Sequence, residues 1–377
     1  SLLVRKHTIG VKEGPVTDSR KRYLQVPQGT EGVHLEEAYR HRRINQELFT
    51  LFTQWGYLPV ETPVFDFYDI YEPLLRGSAR DVYRLIDREG DLLMLRSDIT
   101  LFLAKQMGLW LREEDLPTRV CYADTILRHQ SAEDISKNEF FQTGAELIGK
   151  AGSEADLEIL LLLESIFIKL GITPDIHLGS HQFLTLALKD FEEESIKLAI
   201  RAIRNREGDL LKEIIERGAS RRRTEVITAL FSFIGNRSEF IEEINKYEGT
   251  LHNEEMEALE YLAELAGQME ELGYGKDLQI DLSEIGAQPY YTGIVFQVYH
   301  PGLDDAVASG GRYDKLLSRF GFDCPSVGFS MMLRKIENQV AEKFTLPEDI
   351  VKVEGKTFAE AFRAAQRVRE KGGIAIQ

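Results

Sequence analysis

Arg128, Gln142 and Glu146 belong to one stretch, residues 120–148, in which apolar and aromatic runs flank a charged loop. The flanking runs read as two strands and the loop as the turn of a long hairpin. Arg128 leaves the first strand near its end. Gln142 and Glu146 lie four apart on the second, so a period of two puts them on one face with Gly144. An amide, a glycine and a carboxylate on one sheet face can floor a small cationic ligand. The plainer alternative is an antiparallel sheet face that meets water. Asp98 brings a second carboxylate. Arg96-Ser97-Asp98-Ile99-Thr100 opens a helix running to about Met107. Either Ser97 or Asp98 serves as its cap, or Asp98 is aimed into a pocket at a strand-to-helix junction. Gly310-Gly311-Arg312-Tyr313-Asp314 places two glycines before an expected helix, where anions are favoured, though such a pair is more often a turn. Tyr290-Tyr291-Thr292-Gly293 precedes an apolar strand, and paired aromatics usually serve the core. The sequence has no P-loop, no Gly-x-Gly-x-x-Gly after a strand, no metal-spaced Cys/His cluster and no Gly-x-Ser-x-Gly elbow.

The elements that must hold these residues can be read from periodicity. Residues 1–30 read as an irregular arm. Glu36–Trp55 carries apolar residues at helical spacing and stops at Gly56. Tyr57–Phe65 is expected as one strand, and its prolines suit an edge or a subunit boundary. Val82–Ile86 and Leu92–Leu95 read as paired strands, Ser153–Leu170 as an amphipathic helix, and Asp175–Gly179 as a strand. From His181 to about Tyr274 the signals are almost purely helical. Strands return at Leu278–Leu282, Ile294–Tyr299 and Ala306–Ser309. Helices are expected over Arg312–Phe320 and Phe329–Glu342, and a strand, a helix and the start of a strand after Pro347. This gives an α+β chain: a core of residues 1–180 and 275–342, a helical insertion over 181–274, and a partial C-terminal βαβ segment over 346–377.

Composition narrows the function classes. A content of 43% hydrophobic and 29% charged residues fits a soluble globular chain, and no apolar run approaches a membrane span. The two cysteines, Cys121 and Cys324, offer neither a disulfide framework nor metal spacing, so cytoplasm is the expectation. A net charge of −16 argues against a large nucleic-acid footprint, while leaving room for a local basic patch such as Arg221, Arg222 and Arg223.

In combination these runs carry a resemblance. From about Gly32 to Glu337 the chain resembles the catalytic core of class II aminoacyl-tRNA synthetases, and closely resembles histidyl-tRNA synthetase. Gly56-Tyr57 through Thr62-Pro63 is similar to the dimer-forming first motif. Ile126-Leu127-Arg128-His129 through Phe140-Phe141-Gln142 is similar to the second, and Val327-Gly328-Phe329 through Lys335 to the third. The tyrosine and double-glycine runs resemble the histidyl branch.

The departures matter as much. Where those synthetases carry an arginine for the reacting carboxylate and phosphate, this chain has Gly286. The third motif's phosphate-binding arginine falls at Lys335, and a glycine that makes room for adenine falls at Met332. Arg128 is followed by His129 and Gln130, and the basic loop of the family reads Ser136-Lys137-Asn138-Glu139. Adenylation needs cations aimed at developing phosphate charge, so that activity is expected to be lost. The amino-acid side is better kept. The resemblance implies that Asp98 and Thr100 hold the α-amino group of histidine, that Gln142, Glu146, Tyr290, Tyr291 and Tyr313 make its other contacts, and that Arg128 meets the carboxylate.

A synthetase-like core with an amino-acid pocket but without adenylation is similar to the family of ATP phosphoribosyltransferase regulatory subunits. That resemblance implies a non-catalytic chain of histidine biosynthesis, assembled with a catalytic transferase subunit, dimeric through its first motif, responsive to histidine, and using no cofactor, metal, nucleic acid or membrane. Two alternatives stay open: a divergent active histidyl-tRNA synthetase, and a synthetase-like histidine sensor without the transferase.

Overall fold

The computed structural model describes residues 27, 29–30, 32–75, 79–129, 138–303, 305–347 and 350–376. The irregular arm and the loop residues Gln130, Ser136 and Lys137 fall almost wholly outside this set.

Helix α1 (Leu35–Gln54) buries Ile44, Leu48 and Phe52 at intervals of four, and the chain reverses at Gly56 with φ +82. Its first turn carries Glu36 and Glu37, where the helix dipole favours acids. The expected strand over Tyr57–Phe65 is instead two short ones, β1 (Leu58–Pro59) and β2 (Phe65–Phe67). Pro59 and Pro63 lack the N–H that a continuous ladder needs, so the chain leaves one sheet and enters another. After α2 (Tyr68–Leu75), strands β3 (Arg84–Ile86) and β4 (Leu92–Leu95) pair antiparallel, and β2 completes this small sheet in the order β2-β4-β3.

Helix α3 (Ile99–Trp110) leads to β5 (Thr118–Leu127) and β6 (Glu139–Ile148), which pair along their whole length as the expected hairpin. Helix α4 (Ser153–Leu170) ends at Gly171 in the left-handed region and feeds β7 (Asp175–Ser180). Residues 181–274 then form α5 (His181–Ala187), α6 (Glu193–Arg204), α7 (Gly208–Glu216), α8 (Arg221–Phe231), β8 (Ile234–Gly235), α9 (Arg237–Asn245) and α10 (Asn253–Glu271). The two-residue strand β8 was not expected in a helical stretch, and it pairs with β9 (Leu278–Asp281) at the sheet edge. Strands β10 (Ile294–Tyr299), β11 (Ala308–Arg312) and β12 (Ser326–Met332) complete a nine-stranded sheet in the order β1-β5-β6-β12-β11-β10-β7-β9-β8. It is mostly antiparallel, with parallel pairings only at β1–β5 and β7–β9. The short helix α11 (Leu333–Glu337) follows, and β13 (Ile350–Lys352), α12 (Phe358–Glu370) and β14 (Ile374–Ile376) form a parallel βαβ piece.

Two expected helices are corrected here. Gly310 and Gly311 do not precede a helix. They lie within β11, paired with Phe296 and Val295 on one side and Phe329 and Gly328 on the other. A Cβ at Gly310 would come within 2.5 Å of the Phe296 ring, and one at Gly311 within 2.9 Å of Tyr291, so close approach explains both glycines. Past Arg312 only Leu317–Phe320 is helical, as a 3-10 turn. Likewise Phe329–Met332 belongs to β12, and helix begins only at Leu333. A short apolar run does not distinguish a central strand from a buried helix.

The large core runs without interruption from α1 and α4 through the sheet into the 181–274 helices, joining Ile44, Phe167, Phe183, Leu259 and Phe329 in one cluster. A second cluster, around Tyr71, Phe102, Leu103 and Tyr313, packs α2 and α3 on the sheet. The Arg221–Arg223 run is not a free basic patch: Arg221 pairs with Glu225 and Arg223 with the buried Glu255, while Arg222 donates to Thr250 Oγ1.

Candidate functional site

The β5–β6 hairpin, β11, β12 and the start of α3 converge on Glu146. This carboxylate is buried in mid-sheet and accepts hydrogen bonds from Tyr313 Oη (2.6 Å), Thr100 Oγ1 (2.8 Å) and Tyr122 Oη (3.2 Å). Burial pushes its pKa up to about 8, against the opposing pull of the Tyr313, Thr100 and Tyr122 hydroxyls, with Asp98 adding to the rise. Burial likewise raises the phenols of Tyr122, Tyr290 and Tyr313, so all three remain neutral donors.

Asp98 is the N-cap of α3 and accepts from Leu101 N at 3.1 Å. The capping role and the pocket-facing role therefore coexist: one oxygen caps the helix while the side chain also lines a small cavity with Thr100, Glu146, Tyr290, Tyr291 and Tyr313. Burial raises the Asp98 pKa, and the nearby Arg128 charge holds it down. Gln142 Oε1 accepts from Ile99 N at 3.1 Å, which ties β6 to the first turn of α3. Arg128 sits just beyond β5, bridged through its backbone to Val82, with its guanidinium 5.6 Å from the Phe140 ring centroid. Its Nε is buried and has no hydrogen-bond partner among the described residues. Tyr290 lies 5.3 Å from Tyr291 and 5.8 Å from Tyr313, centroid to centroid, as an aromatic wall.

Of the eight residues singled out for an amino-acid ligand, Asp98, Thr100, Glu146, Tyr290, Tyr291 and Tyr313 line this one cavity, Arg128 lines the larger one beside it, and Gln142 touches the site only through the first turn of α3. The glycine floor does not survive. A Cβ at Gly144 would come within 2.6 Å of Tyr122 Oη, so that face is covered by the tyrosine opposite it in the ladder. The small cavity holds about 30 Å³, room for about one water. A much larger cavity, about 890 Å³, opens on the other side of Asp98 and Gln288. It is walled by Ser97 and Arg128 from the core and by His181, Leu188, Ile200 and Arg204 from α5, α6 and the segment between.

The degenerate positions are explained by their surroundings. Gly286 has φ +80, and a Cβ there would lie 2.5 Å from the Tyr291 ring and 2.9 Å from Val295 Cγ1. No side chain enters without moving both. Met332 packs beside Ile99, Tyr122 and Ile126. Lys335 pairs with Asp305 at 3.0 Å on the surface.

Sequence reasoning missed Tyr122, Gln288 and Arg204. Tyr122 was findable, because it faces Gly144 across the hairpin. Arg204 Nη2 donates to Gly286 O at 2.8 Å, a contact between residues 82 apart that no local pattern encodes. Also unforeseen is the cluster of His177, Asp281 and Glu284, whose ligand atoms lie within 4.8 Å of one another. These atoms are already engaged. Asp281 Oδ2 binds His177 Nδ1 (2.9 Å) and Arg206 Nη2 (2.7 Å), and Glu284 accepts from Tyr299 Oη. The cluster fastens the 181–274 segment to the sheet as a polar network.

Fold and site together define a class II aminoacyl-tRNA synthetase-like protein of the histidyl branch, and the family model for Histidyl-tRNA synthetase matches residues 29–336. Among curated relatives, the ATP phosphoribosyltransferase regulatory subunit of Moorella thermoacetica is 33% identical over 368 residues, covering 94% of this chain and 92% of its own. That of Symbiobacterium thermophilum is 31% identical, covering 83% of this chain and 79% of its own. The chain belongs to the family of ATP phosphoribosyltransferase regulatory subunits within the histidyl-tRNA synthetase-like fold. Two solved structures share the fold. One is an ATP phosphoribosyltransferase regulatory subunit/histidyl-tRNA synthetase from Bacillus halodurans (TM-score 0.82, 24% identity, covering 93% of this chain and 92% of that one). The other is a histidyl-tRNA synthetase from Nostoc (TM-score 0.77, 21% identity, covering 93% and 85%).

Proposed function

We propose that this chain is a non-catalytic partner of a catalytic ATP phosphoribosyltransferase subunit in histidine biosynthesis, and that it makes the assembly responsive to histidine. The observation that carries the loss of adenylation is Gly286. Its positive φ and the Tyr291 and Val295 contacts leave no space for a guanidinium rooted there. Lys335, held by Asp305, is a second missing phosphate contact. The ligand's ammonium faces Asp98 and Thr100, its ring faces Glu146, Gln142 and the tyrosines, and its carboxylate faces Arg128. Ligand binding must rearrange side chains, since the free pocket holds about 30 Å³. Inhibition then follows by linkage, provided histidine binds one state of the assembly more tightly than the other.

A homodimer fits the exposed apolar surface around the first motif, where Leu58, Val64, Phe65, Phe67, Ile86 and Leu92 lie open. No described helix is long and apolar enough to cross a membrane. The placement in the cytoplasm rests on the partner and on the absence of cysteine spacing for disulfides.

The test is a pull-down with the catalytic subunit followed by transferase assays with and without histidine. Co-purification and histidine-sensitive activity are expected; a chain that neither binds nor affects the transferase overturns the reading. One observation favours the alternative of a divergent synthetase, namely the Arg204 guanidinium at the Gly286 carbonyl. Histidine-dependent exchange of pyrophosphate into ATP separates the two, and robust exchange decides for the synthetase.

A further inference from the structure

The cavity of about 890 Å³ is shared between two parts of the chain, and its chemistry is uneven. The core side supplies the Asp98 carboxylate. The 181–274 helices supply an apolar wall, including Leu184, Leu188, Ile196 and Ile200. Two guanidinia line it, Arg128 and Arg204, and among the described residues the contacts they make are with the Phe140 ring and with the carbonyls of Gly286 and Ala287 rather than with a carboxylate. Arg128 keeps a buried Nε with no hydrogen-bond partner among the described residues. Arg204 spends only Nη2, on the carbonyls of Gly286 (2.8 Å) and Ala287 (3.5 Å), so the remaining edge of its fork stays available. A carboxylate facing guanidinia that are in no direct ion pair is an arrangement that selects a zwitterion. An α-amino acid satisfies both ends at once.

We propose that Arg204, carried by the helical insertion, binds the carboxylate of the amino-acid ligand from the side opposite Arg128, so that ligand occupancy clamps the insertion onto the core. This rests on the histidine reading above and adds its second wall. Arg204 is anchored at one nitrogen to the loop 286–287, which leads directly into the Tyr290–Tyr291 pair. A ligand held by Arg204 on one side and by Asp98 on the other therefore draws α6 and the tyrosine loop together.

The test uses calorimetric titration of the full chain with histidine and with histidinol, the same molecule with an alcohol in place of the carboxylate. The wild-type chain is expected to prefer histidine. Arg204→Gln is expected to weaken histidine binding roughly tenfold or more, as for loss of a charged hydrogen bond, with histidinol binding little changed. Arg204→Lys keeps the charge and is expected to restore part of the preference, and thermal unfolding of both variants checks the fold. If Arg204→Gln retains the wild-type preference for histidine over histidinol, Arg204 is not the carboxylate partner and the proposal fails while the histidine reading stands. If the wild-type chain binds neither ligand, alone or with the catalytic subunit, the histidine reading fails and takes the proposal with it.

Discussion

Tyr313 Oη and Glu146 Oε2 lie 2.6 Å apart in the middle of the sheet, joining β11's exit to β6 across 167 residues of sequence. With the Thr100 and Tyr122 hydroxyls, this contact satisfies the oxygens of a buried carboxyl group.

Ligand binding should therefore depend on pH. With its pKa pushed up to about 8, Glu146 is largely protonated in the free chain at neutrality. The ligand's ammonium, cationic throughout this range and seated at Asp98 and Thr100 beside Glu146, favours the ionised carboxylate, so histidine affinity should rise as pH goes from about 7 towards 8, and binding should release a proton. Calorimetry in buffers of different ionisation enthalpy measures that proton directly. Glu146→Gln should abolish the release and weaken binding by roughly tenfold or more, as when a charged hydrogen bond is lost.

Gly328 lies opposite Glu146 in the β6–β12 ladder, and a Cβ there would collide with the Glu146 carboxylate and lie 2.6 Å from Ala145 O. Gly328→Ala should cost about 1–3 kcal/mol through overpacking and displace Glu146 from its hydroxyls. A urea melt read alongside histidine titration would show both losses together. Unchanged stability and binding would mean that the ladder yields more easily than its backbone contacts imply.

Asp281 is fully buried, and its pKa is held down to about 2 by hydrogen bonds from His177, Ser283 and Arg206 that outweigh burial. A depressed carboxylate stabilises the fold above its unfolded pKa, and that contribution is lost as pH falls. The window here runs from about pH 4 down to about 2, and the contribution is about 2 kcal/mol. Asp281→Asn should flatten this part of the acid-unfolding profile and lower stability at pH 7. An unchanged profile would remove the network from the account of how the 181–274 segment is fastened.

Phe67 and Ile86 are 45% and 71% exposed on the two outer strands of the small sheet, either side of β4. If this surface is the dimer contact, Phe67→Asp with Ile86→Asp should shift the sedimentation coefficient from dimer to monomer with little change in the thermal midpoint, since neither side chain is in the core. Retained dimer mass would place the contact elsewhere.

Much of this protein was determined by local pattern. The spacing of Ile44, Leu48 and Phe52, the Gly171 stop and the uninterrupted β5–β6 ladder follow from periods of 3.6 and 2, which act over a few residues. The motif resemblance brought Asp98, Thr100, Gln142, Glu146 and Tyr313 forward, and in the structure all but Gln142 line one small cavity, with Gln142 tied to the first turn of α3. What needed tertiary structure was every feature fixed by an opposing surface. Gly310 and Phe329 read as turn and helix until their sheet neighbours were in place, because a short apolar or glycine-rich run has no period of its own. The closing of Gly144 by Tyr122, the crowding at Gly286 and the reach of Arg204 across 82 residues depend on distances between segments that the sequence keeps far apart. Local interactions choose the elements, and packing alone decides which side chains share a cavity.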